Sequence, residues 1–125
     1  MANISIEDFQ KLDIRIGTIT KAEVPEWSHW VMKLTVDFGD PPAGGGVKTI
    51  FAGIMKFFKA QDLEGKQFPF IVNLEPKTIG PDRQLSEGMM LMAVEKDDLP
   101  AQTGEETPPV LFQLGKPVPN GTKVV

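Results

Sequence analysis

A polar segment lies between two apolar stretches at residues 73–89, which read NLEPKTIGPDRQLSEGM. Within it, Lys77 and Arg83 carry positive charges of the kind that neutralise phosphates. Asn73 and Ser86 offer an amide and a hydroxyl, which hydrogen bond to sugars, phosphates or base edges. These residue types are compatible with a binding segment.

The same segment also fits a purely structural role. Asn73 could cap the end of the preceding strand, and Pro76 and Gly80 could shape a turn. Ser86 could be a turn hydroxyl, and the two bases could be solvated loop charges. The sequence leaves both interpretations open.

A second group of ring-bearing residues lies at residues 25–32, PEWSHWVM, where His29 stands between Trp27 and Trp30. The two tryptophans could form a platform on which bases stack, or an exposed apolar site for an extended peptide. They could equally form a packing cluster at one end of the fold. We treat Trp27 and Trp30 as a candidate peptide or stacking site.

The sequence lacks the usual catalytic and metal-binding patterns. There is no cysteine, which removes disulfides, thiolate ligands and thiol nucleophiles. Ser86 lies in LSEGM, without the G-x-S-x-G turn of serine hydrolases, and His29 is the only histidine. The glycines at 44–46 precede Val47 rather than the Lys-Ser/Thr pair of a phosphate-binding loop. We therefore predict no catalytic residues, no metal site and no cofactor.

Length and charge narrow the class of protein. The 125 residues have the length of one ordinary domain, so we predict a single domain over residues 1–125. The formal charge of −4 argues against a polyanionic partner. However, residues 95–106 hold five of the 17 acids and one of the 13 bases, so the remaining 113 residues are neutral overall.

The composition is that of a globular chain, with 41% hydrophobic and 24% charged residues. No stretch approaches the length of an apolar membrane span, and the first residues lack a basic segment followed by an apolar one. We expect a soluble, cytoplasmic protein without a membrane span.

The N-terminal part of the chain predicts a short helix followed by a bent strand. Ser5 suits a helix N-cap with Asp8 three residues later, and the helix is expected to end near Lys11. The strand signal covers residues 13–24 and changes phase beside Gly17, which indicates a bulge.

The rest of the chain predicts further strands and a second helix. Loss of the two-residue period predicts the helix at residues 55–65, with Gly65 at its end. The continuous apolar run MMLMAV predicts a strand buried on both faces, whereas the other strands alternate. The strands are predicted at residues 32–38, 47–54, 68–74 and 89–94, with a short strand at 110–114 and a hairpin turn at 39–46.

This order of elements is that of an OB fold, an all-β five-stranded barrel with a short helix between strands 3 and 4. The N-terminal helix and a C-terminal extension are additions to it. Ligands of OB folds bind across strands 2 and 3, between the flanking loops. In this arrangement residues 73–89 join strands 4 and 5 and border the groove, as does the Trp27–Trp30 region between strands 1 and 2.

Several motifs follow one another along the chain: LDIRIGTI at 12–19, FAGI at 51–54, DLEGK at 62–66, VNLEPKTIG at 72–80 and SEGMMLMA at 86–93. Together they resemble the tRNA-binding domain family. That family includes free-standing tRNA-binding proteins, the C-terminal appendage of some methionyl-tRNA synthetases and the endothelial-monocyte-activating polypeptide domain. The motifs FQKLD, VDFGD and PVPNGTK are most similar to its CsaA-type secretion-chaperone branch.

The resemblance implies a set of tRNA contacts, because residues of this chain match the positions that line the family's groove. The matching positions are Asn73, Lys77, Ser86 and Met89, with Arg15 on the first strand. Arg83 lies in the same loop as Lys77 and is a further candidate contact.

The resemblance also implies a homodimer, with residues 5–12 and the C-terminal strand as the expected contacts. The predicted function is non-enzymatic binding of tRNA, recognised by backbone and shape through the groove and the strand 4–5 loop. The alternative is a CsaA-type export chaperone that binds unfolded or secretory polypeptides. The acidic charge, the methionines, Trp27 and Trp30 favour that alternative.

Overall fold

The computed structural model describes residues 2–41, 45–95 and 107–125. Two short helices and nine strands are assigned in these ranges. The helices are α1 (Ile6–Gln10) and α2 (Ala60–Leu63); the strands are β1 (Ile14–Glu23), β2 (Met32–Asp37), β3 (Val47–Ala52), β4 (Gln67–Ile71), β5 (Lys77–Ile79), β6 (Gln84–Ser86), β7 (Met89–Met90), β8 (Met92–Ala93) and β9 (Val110–Leu111).

Five of the strands form one antiparallel sheet in the order β3-β2-β1-β4-β7. The sheet curls into a nearly closed barrel, in which β3 and β7 are the two edges. The helix α2 lies in the chain between β3 and β4. The predicted all-β, five-stranded OB barrel with a helix between strands 3 and 4 is therefore confirmed.

The barrel interior is apolar because alternate residues of β2 point inward, as their period of two predicts. Phe38 meets Phe70 edge to face, with ring centroids 5.5 Å apart. Full burial of one such side chain contributes about 1.5–3 kcal/mol, so this set of side chains dominates the stability of the barrel. The largest fully buried side chains are Ile19, Met32, Leu34, Val36, Phe38, Ile50, Ile54, Leu63, Phe68 and Phe70.

The bulge predicted in β1 exists but lies later in the strand. The pairing of β1 with β2 shifts register between Ile19 and Lys21, not beside Gly17. Gly17 has a different role, because a Cβ there would come within 2.5 Å of Cγ1 of Val36. Gly17 allows the strand to pack closely against the core. The bulge lies about three residues later, between Ile19 and Lys21.

Both helices occur where expected, although the second is shorter. The Ser5 hydroxyl accepts a hydrogen bond from the Asp8 amide at 3.1 Å, which confirms the predicted N-cap. The helix expected over residues 55–65 is confined to α2. Gly65, with φ +83°, follows the end of α2 and donates its amide to the Ile19 carbonyl at 2.8 Å.

Three strand predictions need correction. The single strand predicted at residues 89–94 is wrong, because β7 pairs with β4 whereas β8 pairs with β9 in a separate sheet. Met89 is 45% exposed and Val94 is 47% exposed, so the run is not buried on both faces. The fourth strand ends at Ile71 rather than at residue 74. The last strand is β9 alone, because only the first two of residues 110–114 form it.

The C-terminal extension pairs with the part of β1 that β2 does not reach. Ile16 donates its amide to the Thr122 carbonyl at 2.9 Å and accepts from the Gly121 amide at 2.8 Å. Val124 donates to the Ile14 carbonyl at 2.8 Å. Residues 121–124 therefore satisfy an edge of β1 that would otherwise face water.

Most of the acidic segment at residues 95–106 lies outside the described residues. Among the residues that are described, no helix is long and apolar enough to cross a membrane.

Candidate nucleic-acid interface

The segment predicted as a loop between strands 4 and 5 contains a hairpin, which we call the hairpin arm (Lys77–Ser86). Its strands β5 and β6 pair in register from Lys77 opposite Ser86 to Ile79 opposite Gln84. Gly80 and Arg83 both have positive φ at the tip, and the Arg83 amide donates to the Gly80 carbonyl at 3.1 Å. The segment joins β4 to β7 as predicted, and local pairing of β5 with β6, which the sequence did not predict, satisfies part of its backbone.

The base of the hairpin arm is bonded to β3. The Ser86 hydroxyl accepts a hydrogen bond from the Phe51 amide at 3.0 Å. The Glu87 carboxylate accepts from the Thr49 amide at 2.8 Å, and the Glu87 amide donates to the Thr49 carbonyl at 2.8 Å. These three bonds bridge β3 to the chain that leads into β7, so they close the barrel at its open seam.

Gly88 completes this seam through its lack of a side chain. A Cβ at this position would lie 2.6 Å from the Ile71 carbonyl oxygen and 3.1 Å from Cδ1 of Ile50. The first contact is with backbone, which cannot rotate away as a side chain can. Ser86, Glu87 and Gly88 therefore act together to close the barrel between β3 and β7.

Asn73 ties the end of β4 to the entry of β1. Its Oδ1 accepts a hydrogen bond from the Asp13 amide at 2.9 Å, and its Nδ2 donates to the Lys11 carbonyl at 2.7 Å. Both functional atoms of the amide are thus engaged with the segment that follows α1. This geometry is the capping role that the sequence left open.

Arg15 is held within the same region by two contacts. Its Nε donates to Oδ1 of Asp13 at 2.7 Å, and its Nη1 donates to the Gly121 carbonyl at 3.0 Å. Asp13 therefore links Arg15 and Asn73 into one cluster at the start of β1. The guanidinium is part-buried and joins β1 to the C-terminal extension.

The remaining candidate residues project into solvent. Lys77 and Arg83 are exposed, and neither side chain forms an ion pair or hydrogen bond within the described part of the chain. Met89 follows the arm on β7 and is 45% exposed. The arm thus gathers Lys77, Arg83 and Ser86 together, whereas Asn73 and Arg15 form the separate cluster around Asp13.

The structure separates the two tryptophans. Trp27 packs on the tip of the hairpin arm, where a Cβ on Gly80 would lie 2.6 Å from Cε2 of the indole. Its ring also meets Phe51, with centroids 6.3 Å apart at 39°. Trp30 is 56% exposed and stands beside Gly53, so only this tryptophan offers a free face.

An apolar groove lies between the barrel edges, lined by Phe51–Gly53 on one side and Met89–Met92 on the other. Its volume is about 310 Å³. Trp30 borders the groove through its contact with Gly53. In the described ranges no group of three or more His, Cys, Asp or Glu residues is placed to hold a metal ion.

Sequence reasoning missed the contribution of Glu87 and the contact between Trp27 and Gly80. Both depend on partners distant in the chain, since Thr49 lies 38 residues before Glu87. No local spacing could have indicated either pair.

The five-stranded barrel with α2 between β3 and β4 defines an OB-fold domain. A family model described as "Putative tRNA binding domain" matches residues 14–123, and the chain belongs to this family. The resemblance identified from the sequence is therefore confirmed.

Two comparisons with proteins from archaea link the chain to methionyl-tRNA synthetases. It is 45% identical over 95 residues to the methionine–tRNA ligase of Archaeoglobus fulgidus, a match that covers 75% of this chain and only 13% of the ligase. The structure of a MetRS-related protein from Pyrococcus horikoshii superposes with a TM-score of 0.83 at 30% identity, and the match covers 100% of both chains.

A third comparison leads to the chaperone branch. The crystal structure of chaperone CsaA from Bacillus anthracis superposes with a TM-score of 0.77 at 35% identity. That match covers 99% of this chain and 100% of the other. The chain is therefore similar over its full length both to a synthetase-related protein and to a chaperone.

Proposed function

We propose that this protein is a non-enzymatic, cytoplasmic tRNA-binding protein that recognises tRNA by its backbone and shape. The observation that carries the proposal is that Lys77 and Arg83 of the hairpin arm are exposed and form no ion pair or hydrogen bond in the described part of the chain, which belongs to the tRNA-binding domain family. Cations free of internal partners neutralise phosphates without first breaking an ion pair. Met89, exposed beside the arm, supplies apolar contact to the ribose or base.

In this proposal the other candidate residues shape the surface and do not reach the ligand. Asn73, Ser86 and Arg15 each form hydrogen bonds within the protein. Those bonds fix the positions of the three side chains. They hold β4, the hairpin arm and the C-terminal extension in place, while the arm makes the contacts along the groove.

We expect bulk tRNA to bind at low ionic strength and to be released as salt is added. With two phosphate contacts, affinity should fall roughly tenfold between 50 and 200 mM salt, because each contact contributes close to one unit of log–log slope. Fluorescence anisotropy of labelled tRNA measures this directly. Absence of binding at low salt, or binding that salt does not weaken, would contradict the proposal.

A second function is favoured by the exposed Trp30 beside the apolar groove. A tryptophan that is 56% exposed next to a methionine-lined groove is suited to hold an extended apolar segment of an unfolded or secretory polypeptide. The similarity to chaperone CsaA supports the same role.

Light scattering of a heat-denatured client protein tests this second function. We expect the protein to slow aggregation, and Trp30→Ala to lose most of that effect because the variant removes the exposed apolar face. Lys77→Ala is the matched control and should act like the parent protein. Activity unchanged in Trp30→Ala, or abolished by excess tRNA, would count against an independent polypeptide site.

We further propose that a second copy of the chain covers α1, giving a homodimer. None of the residues of α1 is buried. Its apolar residue Ile6 is 63% exposed, and Ile4, just before the helix, is 71% exposed. A five-residue helix gains little stability alone, so an apolar partner surface would stabilise it. Analytical ultracentrifugation that shows only monomer at micromolar concentration, or an Ile6→Glu variant as dimeric as the parent, would exclude this contact.

A further inference from the structure

The hairpin arm has few supports of its own. Its strands have three residues each and, among the described residues, pair with one another in a two-stranded sheet separate from the barrel. An isolated two-stranded hairpin is marginally stable in water. The bonds of Ser86 and Glu87 to β3 secure the base of the arm but do not reach its tip.

Trp27 supplies the missing support at the tip. Gly80 stands there with φ +77°, and its notional Cβ would lie 2.6 and 2.8 Å from Cε2 and Cη2 of the indole. The tryptophan therefore packs directly on the backbone of the turn. Any side chain at residue 80 would push the ring away, in addition to the strain of a positive φ.

Trp27 also contacts the barrel. Trp27 meets Phe51 of β3, and the Phe51 amide donates the hydrogen bond that Ser86 accepts at the base of the arm. Gly80, Trp27, Phe51 and Ser86 thus form a closed circuit of contacts. The circuit fixes both ends of the arm relative to β3.

We infer that Trp27 is a positioning residue for nucleic-acid binding, which holds the hairpin arm so that Lys77 and Arg83 meet phosphates in a preset geometry. This inference rests on the proposed tRNA-binding function. Trp27 itself does not touch the ligand. Its effect is to remove the cost of ordering the arm during binding, which is the usual advantage of preorganisation.

The inference predicts a coupling that a general loss of stability would not produce. Trp27→Ala should weaken tRNA binding roughly fivefold, the effect of having to order one or two side chains on binding. Lys77→Ala should weaken binding in the parent protein, but clearly less in the Trp27→Ala background, because the lysine is then no longer preset. A double-mutant cycle measured by anisotropy gives this coupling.

Trp30→Ala is the matched control for the cycle. It removes a neighbouring tryptophan that stands beside Gly53, whereas Trp27 is the ring packed on Gly80 of the arm, so its effect should add to that of Lys77→Ala. Additive effects for Trp27→Ala as well would overturn the inference while leaving the tRNA-binding proposal intact. Failure of the parent protein to bind tRNA would instead overturn the proposed function.

Hydrogen exchange provides a readout that does not depend on RNA. In Trp27→Ala, amides of residues 77–86 should exchange faster while those of β1 and β2 keep their protection. Trp27→Phe, which retains a ring against Gly80, should restore much of the protection and of the tRNA affinity. Gly80→Ala is a second route to the same phenotype should Trp27→Ala fold poorly. Unchanged hydrogen exchange of the arm amides in Trp27→Ala or in Gly80→Ala would overturn the positioning role of Trp27.

Discussion

Gly88→Ala is expected to destabilise the protein by about 3 kcal/mol, a large part of the stability of a domain this size. The new Cβ would lie 2.6 Å from the Ile71 carbonyl oxygen, so either the strand β4 or the chain entering β7 must move. Movement of that chain would strain the neighbouring bonds of Glu87 to Thr49. The variant therefore adds a loosened barrel seam to the steric cost.

Urea denaturation followed by far-UV circular dichroism measures this loss of stability as a lower midpoint. Gly115→Ala is the matched control, because a Cβ there meets nothing within 4 Å and its φ is ordinary. That control should change the free energy of unfolding by no more than about 0.5 kcal/mol. A Gly88→Ala protein as stable as the Gly115→Ala protein would show that the seam is not tightly packed.

Local patterns in the sequence predicted the elements whose causes are themselves local. The alternation of β2 follows from one face packing on the core, and the N-cap of α1 depends on Ser5 and Asp8 alone. The order of the elements then predicted the OB barrel, because that fold has its helix between the third and fourth strands.

The elements that were mispredicted depend on partners distant in the chain. MMLMAV reads as one buried strand, yet β7 pairs with β4 whereas β8 pairs with β9, which lies beyond the acidic segment. Residue hydrophobicity gives no information about such a change of partner. The hairpin arm was likewise hidden, since strands of three residues leave almost no periodic signal.

For the candidate site, too, residue types were visible in the sequence, whereas the partners of those residues were not. The sequence marked Asn73 and Ser86 as candidate tRNA contacts and left a capping or turn role open, because a chain alone does not say whether the partner of a polar group is a ligand or the protein. The structure provides the partners, namely the segment after α1 for Asn73 and β3 for Ser86. Ser86 is only 8% exposed, so its hydroxyl would be costly to leave unpaired, whereas Asn73 is exposed. Lys77 and Arg83, by contrast, are exposed and their side chains form no hydrogen bond or ion pair within the described part of the chain.

The combined variant Lys77→Glu with Arg83→Glu is expected to reduce tRNA affinity about a hundredfold at low salt. Each hydrogen bond to a charged group is worth about 1.5 kcal/mol, which is close to tenfold in affinity, and the variant removes two of them. Each introduced carboxylate adds repulsion from the RNA backbone. The slope of log affinity against log salt should become shallower by close to one unit for each phosphate that the arm no longer neutralises. Anisotropy titrations at several salt concentrations measure both quantities.

The control for this variant must change the net charge equally at another place. Lys66→Glu with Lys116→Glu meets that condition, because both lysines flank a separate cleft at the start of β4, whereas the hairpin arm follows its end. If tRNA docks on the arm, the control loses affinity only through the more negative overall charge, and its salt slope stays near that of the parent. Equal losses in the two variants would mean that tRNA responds to the net charge of the protein and does not dock on the arm. A normal affinity in the arm variant would place the tRNA-binding surface elsewhere on the barrel.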